Sequence, residues 1–436
     1  MGESVMANST VEIEDVQAIP LVELNPGRVD RFTADTIWPV FERLRREDPV
    51  HFTPESEFGP YWSVTRWADV TAVDTNNKVF SSARGIGLPN LAAEQEQMKM
   101  AQAAGRPVAR GEAATDNSFI GMDEPEHRVH RKAVSPAMAP PNIAKMASLV
   151  RERASAILDS LPIGEPFDWV DLVSKELTTM TLATLFDFPF EERRKLPYWT
   201  DMIINQPGYG PVKSWEQRDQ ALVECVTAFQ KLWDERIDSE PAGDLISMLA
   251  HNPATREMSR QQYRSTVGLL LIGGNDTTRN TISGSIYALN RHPDQYAKLR
   301  ANPDLILSMV SETLRWHTPI SYMSRVTTRD IELGGKTIRQ GERVVMWYIS
   351  ANRDDAVIEN PNDFIIDRKR ARNHLAFGTG VHHCVGNRVA EMQLTIIWEE
   401  IFKRFPEIKL IGDPVRTHSS FVHGFDNMQV VIPSRL

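Results

Sequence analysis

Ile37, Phe41 and Leu44 fall four and three residues apart, the repeat of an amphipathic helix, and the pattern stops before Asp48-Pro49. Val50-His51-Phe52 and Tyr61-Trp62-Ser63-Val64 read as two strands. With the turn signals Pro54, Gly59 and Pro60 between them, they predict a hairpin. From Ile143 to Leu158 the apolar residues stand at 143, 146, 147, 150, 154, 157 and 158, one face of a long helix. Further helical patterns fill 170–310. A second β segment is predicted over 325–350, where Ile331-Glu332-Leu333, Gly334-Gly335 and Thr337-Ile338 read as a tight hairpin. Val389, Met392, Ile396 and Ile397 share one face of a final helix, with which the pattern ends. Residues 88–118 differ from their surroundings, being rich in Ala, Gln, Gly and Met. They read either as a surface loop or as a mobile lid over a binding site. Residues 1–20 show no periodicity and are expected to form a flexible tail.

A length of 436 residues admits roughly three domains. No repeat, low-complexity tract or linker divides the chain, however, so one large domain over 21–436 is expected. It is mainly α with small peripheral β-sheets. Apolar residues at 41% and charged residues at 25% are ordinary for a globular chain that buries a core. The 49 Lys and Arg against 58 Asp and Glu leave a net charge of −9, which argues against general nucleic-acid binding. Two cysteines, Cys225 and Cys384, fit a reduced cytoplasmic protein better than a disulfide scaffold. Met1–Met6 carries neither the basic nor the apolar run of a signal peptide, and no apolar stretch is long enough for a membrane span.

The chemistry concentrates in Phe377-Gly378-Thr379-Gly380-Val381-His382-His383-Cys384-Val385-Gly386, followed by a helical pattern. Glycines let backbone approach a bulky group. Backbone N–H groups and the start of a helix favour a thiolate. A lone thiolate has too few partners for zinc but suits the axial position of a haem iron. In Gly273-Gly274-Asn275-Asp276-Thr277-Thr278, two glycines interrupt an apolar helix at about 1 kcal/mol each. Thr277 can bond back to the Gly273 carbonyl. Glu312 and Arg315 are three apart on a helix, and His127 and Arg131 four apart, so each pair shares a face.

Phe377, Gly380, His382, Cys384 and Gly386 resemble the haem-thiolate signature of the cytochrome P450 superfamily, and other motifs follow in that superfamily's order from about residue 30. The resemblance implies a single-domain P450 fold enclosing haem b, with Cys384 as the iron ligand. It makes Gly274 part of an oxygen-binding groove, with Asp276 and Thr277 delivering protons. It places His127, Arg131, Arg325 and His382 on the haem propionates. His382 stands where Arg is commoner and would titrate near neutrality. Glu312 and Arg315, joined by Arg368, would fix the loop that carries Cys384.

The implied reaction is monooxygenation: one atom of dioxygen enters an unactivated C–H bond and the other leaves as water. No Rossmann, flavin or iron–sulfur segment is present, so electrons would come from an external ferredoxin and ferredoxin reductase. Arg128, Lys132, Arg372, Arg388 and His383 are candidates for that docking face. Gly274–Asn280, Val345–Tyr348, Gly386–Arg388 and Ala390–Leu394 are similar to the soluble bacterial alkane hydroxylases of the superfamily. This implies terminal hydroxylation of medium-chain n-alkanes or fatty acids. By that correspondence Ile120, Leu270, Met323, Phe421 and Val422 would line the substrate channel. A terpene or sterol hydroxylase is the alternative. A haem sensor and a peroxide-driven peroxygenase are disfavoured by the Asp276-Thr277 pair.

Overall fold

A computed structural model describes residues 15–89, 91–103 and 118–436. Short α1 (Val29–Thr33) leads into α2 (Trp38–Glu47), whose Val40, Phe41 and Leu44 are buried as their spacing requires. β1 (Val50–Thr53) and β2 (Tyr61–Val64) form the predicted antiparallel hairpin. Then come α3 (Trp67–Thr75), β3 (Phe80–Ser81) and α4 (Leu91–Ala103). α4 replaces the front part of the loop expected over 88–118. The segment is dense in Ala, Glu, Gln and Met, which are strong helix formers. Residues 104–117 of that expected loop or lid lie outside the described residues, as do residues 1–14 of the expected tail. Val16, in the remainder of the tail, is buried, and its carbonyl and that of Ile19 accept from the Arg43 guanidinium at 2.5 and 2.6 Å.

α5 (Glu126–Val134) and α6 (Pro140–Asp159) follow. Two prolines open α6, where their missing N–H groups cost nothing. Its Val150, Ala154, Ile157 and Leu158 are buried. After β4 (Phe167–Asp168) come α7 (Glu176–Phe186), α8 (Lys195–Ile204), α9 (Trp215–Ile237) and α10 (Leu245–His251). α11 (Arg260–Arg291) has 32 residues and starts at a capping box of Ser259 and Gln262. It spans about 48 Å at 1.5 Å per residue. It packs against α7, α8, α13 (Ile306–His317) and α15 (Asn387–Phe402), so it threads the molecule's centre. α12 (Pro293–Ala301) links it to α13.

β5 (Met323–Thr327), β6 (Ile331–Leu333), β7 (Lys336–Ile338), β8 (Arg343–Met346) and the short α14 (Tyr348–Ala351) lie between α13 and α15. One sheet has the order β1-β2-β8-β5-β3, with only the β2/β8 pair parallel. β6 and β7 make the predicted hairpin. Gly334 and Gly335 both have positive φ, +56° and +73°, as a two-residue turn of this hand requires. The chain does not end with a helix: β9 (Lys409–Leu410), β10 (Val415–Arg416), β11 (Phe425–Asn427) and β12 (Gln429–Val431) follow α15. They are too short for alternation to register. The largest apolar core joins α6, α13, α15 and the second half of α11, and another joins α7 to α10 with its first half. Among the described residues no helix is long and apolar enough to cross a membrane.

Candidate active site

Cys384 lies in the loop that enters α15 and lines a cavity of about 730 Å³. The loop folds back on itself, the Cys384 N–H donating to the Phe377 carbonyl at 2.9 Å. Gly380 has φ +64°, and a Cβ there would lie 2.7 Å from the Asp74 carbonyl oxygen, so glycine is required on both counts. Burial pushes the thiol pKa up, while the N–H groups of Gly386 and Asn387 and the charge of Arg131 pull it down. These are the donors that would favour a thiolate once a cation binds it.

Asp74 of α3 was not legible as a site residue. Its Oδ1 accepts from Arg325 Nη2 at 2.9 Å, and its Oδ2 accepts from the Tyr348 hydroxyl at 2.9 Å and the Thr379 N–H at 2.8 Å. One buried carboxylate therefore ties α3, β5 and α14 to the cysteine loop.

Arg131, Arg325 and His382 line the cavity together with Phe377 and Gly386. Arg131 Nη2 donates to the His383 carbonyl at 2.6 Å. His127 stacks behind His382, ring centroids 4.2 Å apart. His127 Nε2 and His382 Nδ1 are buried without a hydrogen-bond partner. Such orphaned polar atoms call for an occupant. Two guanidiniums and two imidazoles beside a thiol fit haem, with its carboxylate groups and its need for an axial ligand. His382 does not titrate near neutrality as the sequence suggests. Burial, then Arg325, His127 and Arg131, push it down to about 2.

From α11, Gly273, Gly274 and Thr277 line the same cavity as Cys384. The Thr277 hydroxyl donates to the Gly273 carbonyl at 2.7 Å, as expected from the sequence. A Cβ on Gly273 would meet nothing, whereas one on Gly274 would strike Leu182 Cδ2 of α7 at 2.7 Å. Gly274 therefore admits α7 as well as bordering the cavity. Asp276 does not line the cavity. It is fully buried on another face of α11, 3.0 Å from Arg279 Nη2, and accepts weakly from the Thr200 hydroxyl at 3.4 Å. Arg279 also donates to Asp201 of α8 at 2.8 Å, and Lys175 binds the other Asp201 oxygen at 3.1 Å. Burial, against the pull of Arg279 and with the push of Asp201, raises the Asp276 pKa to about 7. Asp276 Oδ2 has no partner.

Ile120, Leu270, Met323 and Phe421 line the cavity. Val422 does not. It is buried and pairs by a β-bridge with Ile320, whose side chain takes the lining position. Behind the loop, Glu312 and Arg315 are fully buried, with Arg315 Nη2 2.7 Å and Nε 2.8 Å from the carboxylate. Arg368 adds contacts at 3.1 and 3.3 Å, and the Ile365 N–H donates at 2.8 Å.

The family model described as Cytochrome P450 matches residues 196–418. Linalool 8-monooxygenase of Pseudomonas putida is 34% identical over 404 residues, 92% of this chain and 97% of its own. The methyl-branched lipid omega-hydroxylase of Mycobacterium tuberculosis is 29% identical over 429 residues, 94% of this chain and 95% of its own. The solved structure of CYP153D17 from a Sphingomonas species is 41% identical, with a TM-score of 0.83 over 93% of this chain and 98% of that one. A family match over half the chain, and relatives that span nearly all of it, show that the chain belongs to the cytochrome P450 family and is a P450 monooxygenase.

Proposed function

We propose that this P450 hydroxylates the terminal carbon of linear medium-chain substrates, n-alkanes or fatty acids, in the cytoplasm. The observation that carries this reading is the apolar cavity bordered by Ile120, Leu270, Met323 and Phe421, which opens onto Cys384 and Thr277. A terminal C–H bond is stronger than its neighbours, so it must be selected by position, and apolar walls that hold a chain end-on do this. The relative named as a lipid omega-hydroxylase supports the terminal outcome.

Haem b, when bound, supplies the oxidising chemistry: two-electron activation of dioxygen and insertion of one oxygen atom into the C–H bond. Cys384 Sγ would hold its iron, and Arg131, Arg325, His127 and His382 its carboxylates. Phe377, Gly380 and Gly386 shape the loop that carries the sulfur. Thr277 Oγ1, anchored on the Gly273 carbonyl, holds a proton at the cavity wall. Asp276 lies one residue away with a pKa near the working pH, able to reload that proton after turning from Arg279. Glu312, Arg315 and Arg368 keep the loop in place.

Electrons would come from an external ferredoxin and its reductase. Arg128 and Arg372 are about two-thirds exposed, and Lys132 and Arg388 are exposed too, around the segment where Arg131 meets the cysteine loop. A basic face on an acidic protein suits a small acidic donor.

The test is turnover with ferredoxin, reductase and isotopically labelled dioxygen on decane and dodecanoic acid. The expected product is the ω-alcohol carrying one labelled oxygen. Conversion of linalool or a sterol with no linear product would replace this reading with the terpene or sterol hydroxylase, which the relative named for linalool favours.

A further inference from the structure

The cavity does not end above Thr277. Gln261, Ser265, Gly268 and Ile272 line it from one face of α11, and Gly273 and Thr277 line it from further round the same helix. A Cβ on Gly268, as on Gly273, would meet no atom within 4 Å, so the helix surface is open at both points. Leu222, Val226 and Phe229, four and three residues apart on α9, form the facing wall. The groove is apolar over its length and changes character at its far end, where Gln261, Arg264 and Ser265 border it. None of these three side chains has a hydrogen-bond or ion-pair partner among the described residues.

An unpaired guanidinium at the end of an apolar groove matches a chain that is apolar at one end and anionic at the other. Arg264 and Thr277 are thirteen residues apart on α11, about 20 Å at 1.5 Å per residue. Tetrahedral C–C bonds of about 1.5 Å advance an extended chain by about 1.25 Å per carbon, so that distance takes roughly sixteen carbons.

We propose that Arg264, assisted by Gln261, binds the carboxylate of a linear fatty acid of that length whose methyl end lies at Thr277. The proposal rests on the linear-chain reading above and decides within it for acids over alkanes. A guanidinium pairs with a carboxylate through two parallel N–H donors, which fixes the distal end and so presents the terminal carbon to the reacting centre.

The haem-loaded protein and its Arg264→Ala and Arg264→Lys variants are titrated with hexadecanoic acid and its methyl ester, followed by the Soret band and by calorimetry. The wild type should bind the acid roughly tenfold more tightly than the ester, the scale of one charge-assisted pair. Arg264→Ala should bring the two affinities together, and Arg264→Lys should restore part of the gap. The gap should narrow as salt is raised. Equal affinities in the wild type, or a preference that survives Arg264→Ala, overturns the anchor while leaving the linear-chain reading intact. A wild type that binds neither compound overturns both.

Discussion

Glu312 is without exposed surface and accepts from Arg315, Arg368 and the Ile365 N–H. Truncating it strands two guanidiniums, of which Arg315 is fully buried. Glu312→Ala should cost about 3–5 kcal/mol and yield protein with little haem, read by urea unfolding and by the ratio of Soret to protein absorbance. A haem-replete variant of normal stability would show that the cluster is dispensable. Asp276 makes a second prediction. Its pKa is raised from 3.8 to about 7, because burial disfavours the charged form. The protonated carboxyl is thus favoured in the fold, and its contribution to stability is complete below about pH 4 and lost as pH rises through about 7. Product formed per electron pair should vary over that same range. Asp276→Asn should flatten the profile and slow turnover roughly 10²-fold; an unchanged profile would detach Asp276 from proton delivery. At this scale the sequence reads well where contact is local. Cys384 among its glycines and Thr277 with its own helix carbonyl were both legible. Asp74 was not, because its partner Arg325 is 251 residues away. The expectation that Asp276 and Thr277 work side by side met the geometry of the helix, which turns adjacent side chains about 100° apart. Only Thr277 reaches the cavity.

α11 combines two jobs that its sequence shows as a conflict between apolar pattern and glycine. From Asn275 onward it is packed on nearly every side. Before that, Gly268 and Gly273 leave its surface open at two points. Gly268 is nine residues from Thr277, about 13 Å along the axis. Gly268→Phe should therefore block the groove part-way and move the best chain from roughly sixteen carbons to ten or fewer. Helix stability should not suffer, since any ordinary residue is favoured over glycine by several tenths of a kcal/mol. Spin-state titration with graded acids reads the shift, and an unmoved optimum would place the chain elsewhere. The long helices were legible because periodicity accumulates over many residues. Strands of two or three residues after α15 give no such signal. α4 hid in a segment judged by its lack of aromatics, although its residues favour helix individually.

For the molecule as a whole, the sequence carried the class: mostly helix, with small sheets at the edge. The charge distribution was harder to read, since a net charge of −9 says nothing of where the basic residues gather. The fold brings Arg128 and Lys132 of α5 to the same region as Arg372 and Arg388 beside the cysteine loop. Reversing Lys132 and Arg388 to Glu should slow reduction by an acidic ferredoxin roughly tenfold at low salt, with the difference shrinking as salt screens it. Stopped-flow reduction measures this, and equal rates in variant and wild type would move the docking face. The central claim is narrower: a haem-thiolate centre at the end of a groove built for linear chains. Spectral titration of the haem-loaded protein with straight-chain compounds of graded length tests it most directly. A saturable shift of the Soret band toward high spin is expected, with one best length and weaker response on either side. A normal Soret band that no linear chain moves, but that a cyclic terpene or sterol does, would contradict it.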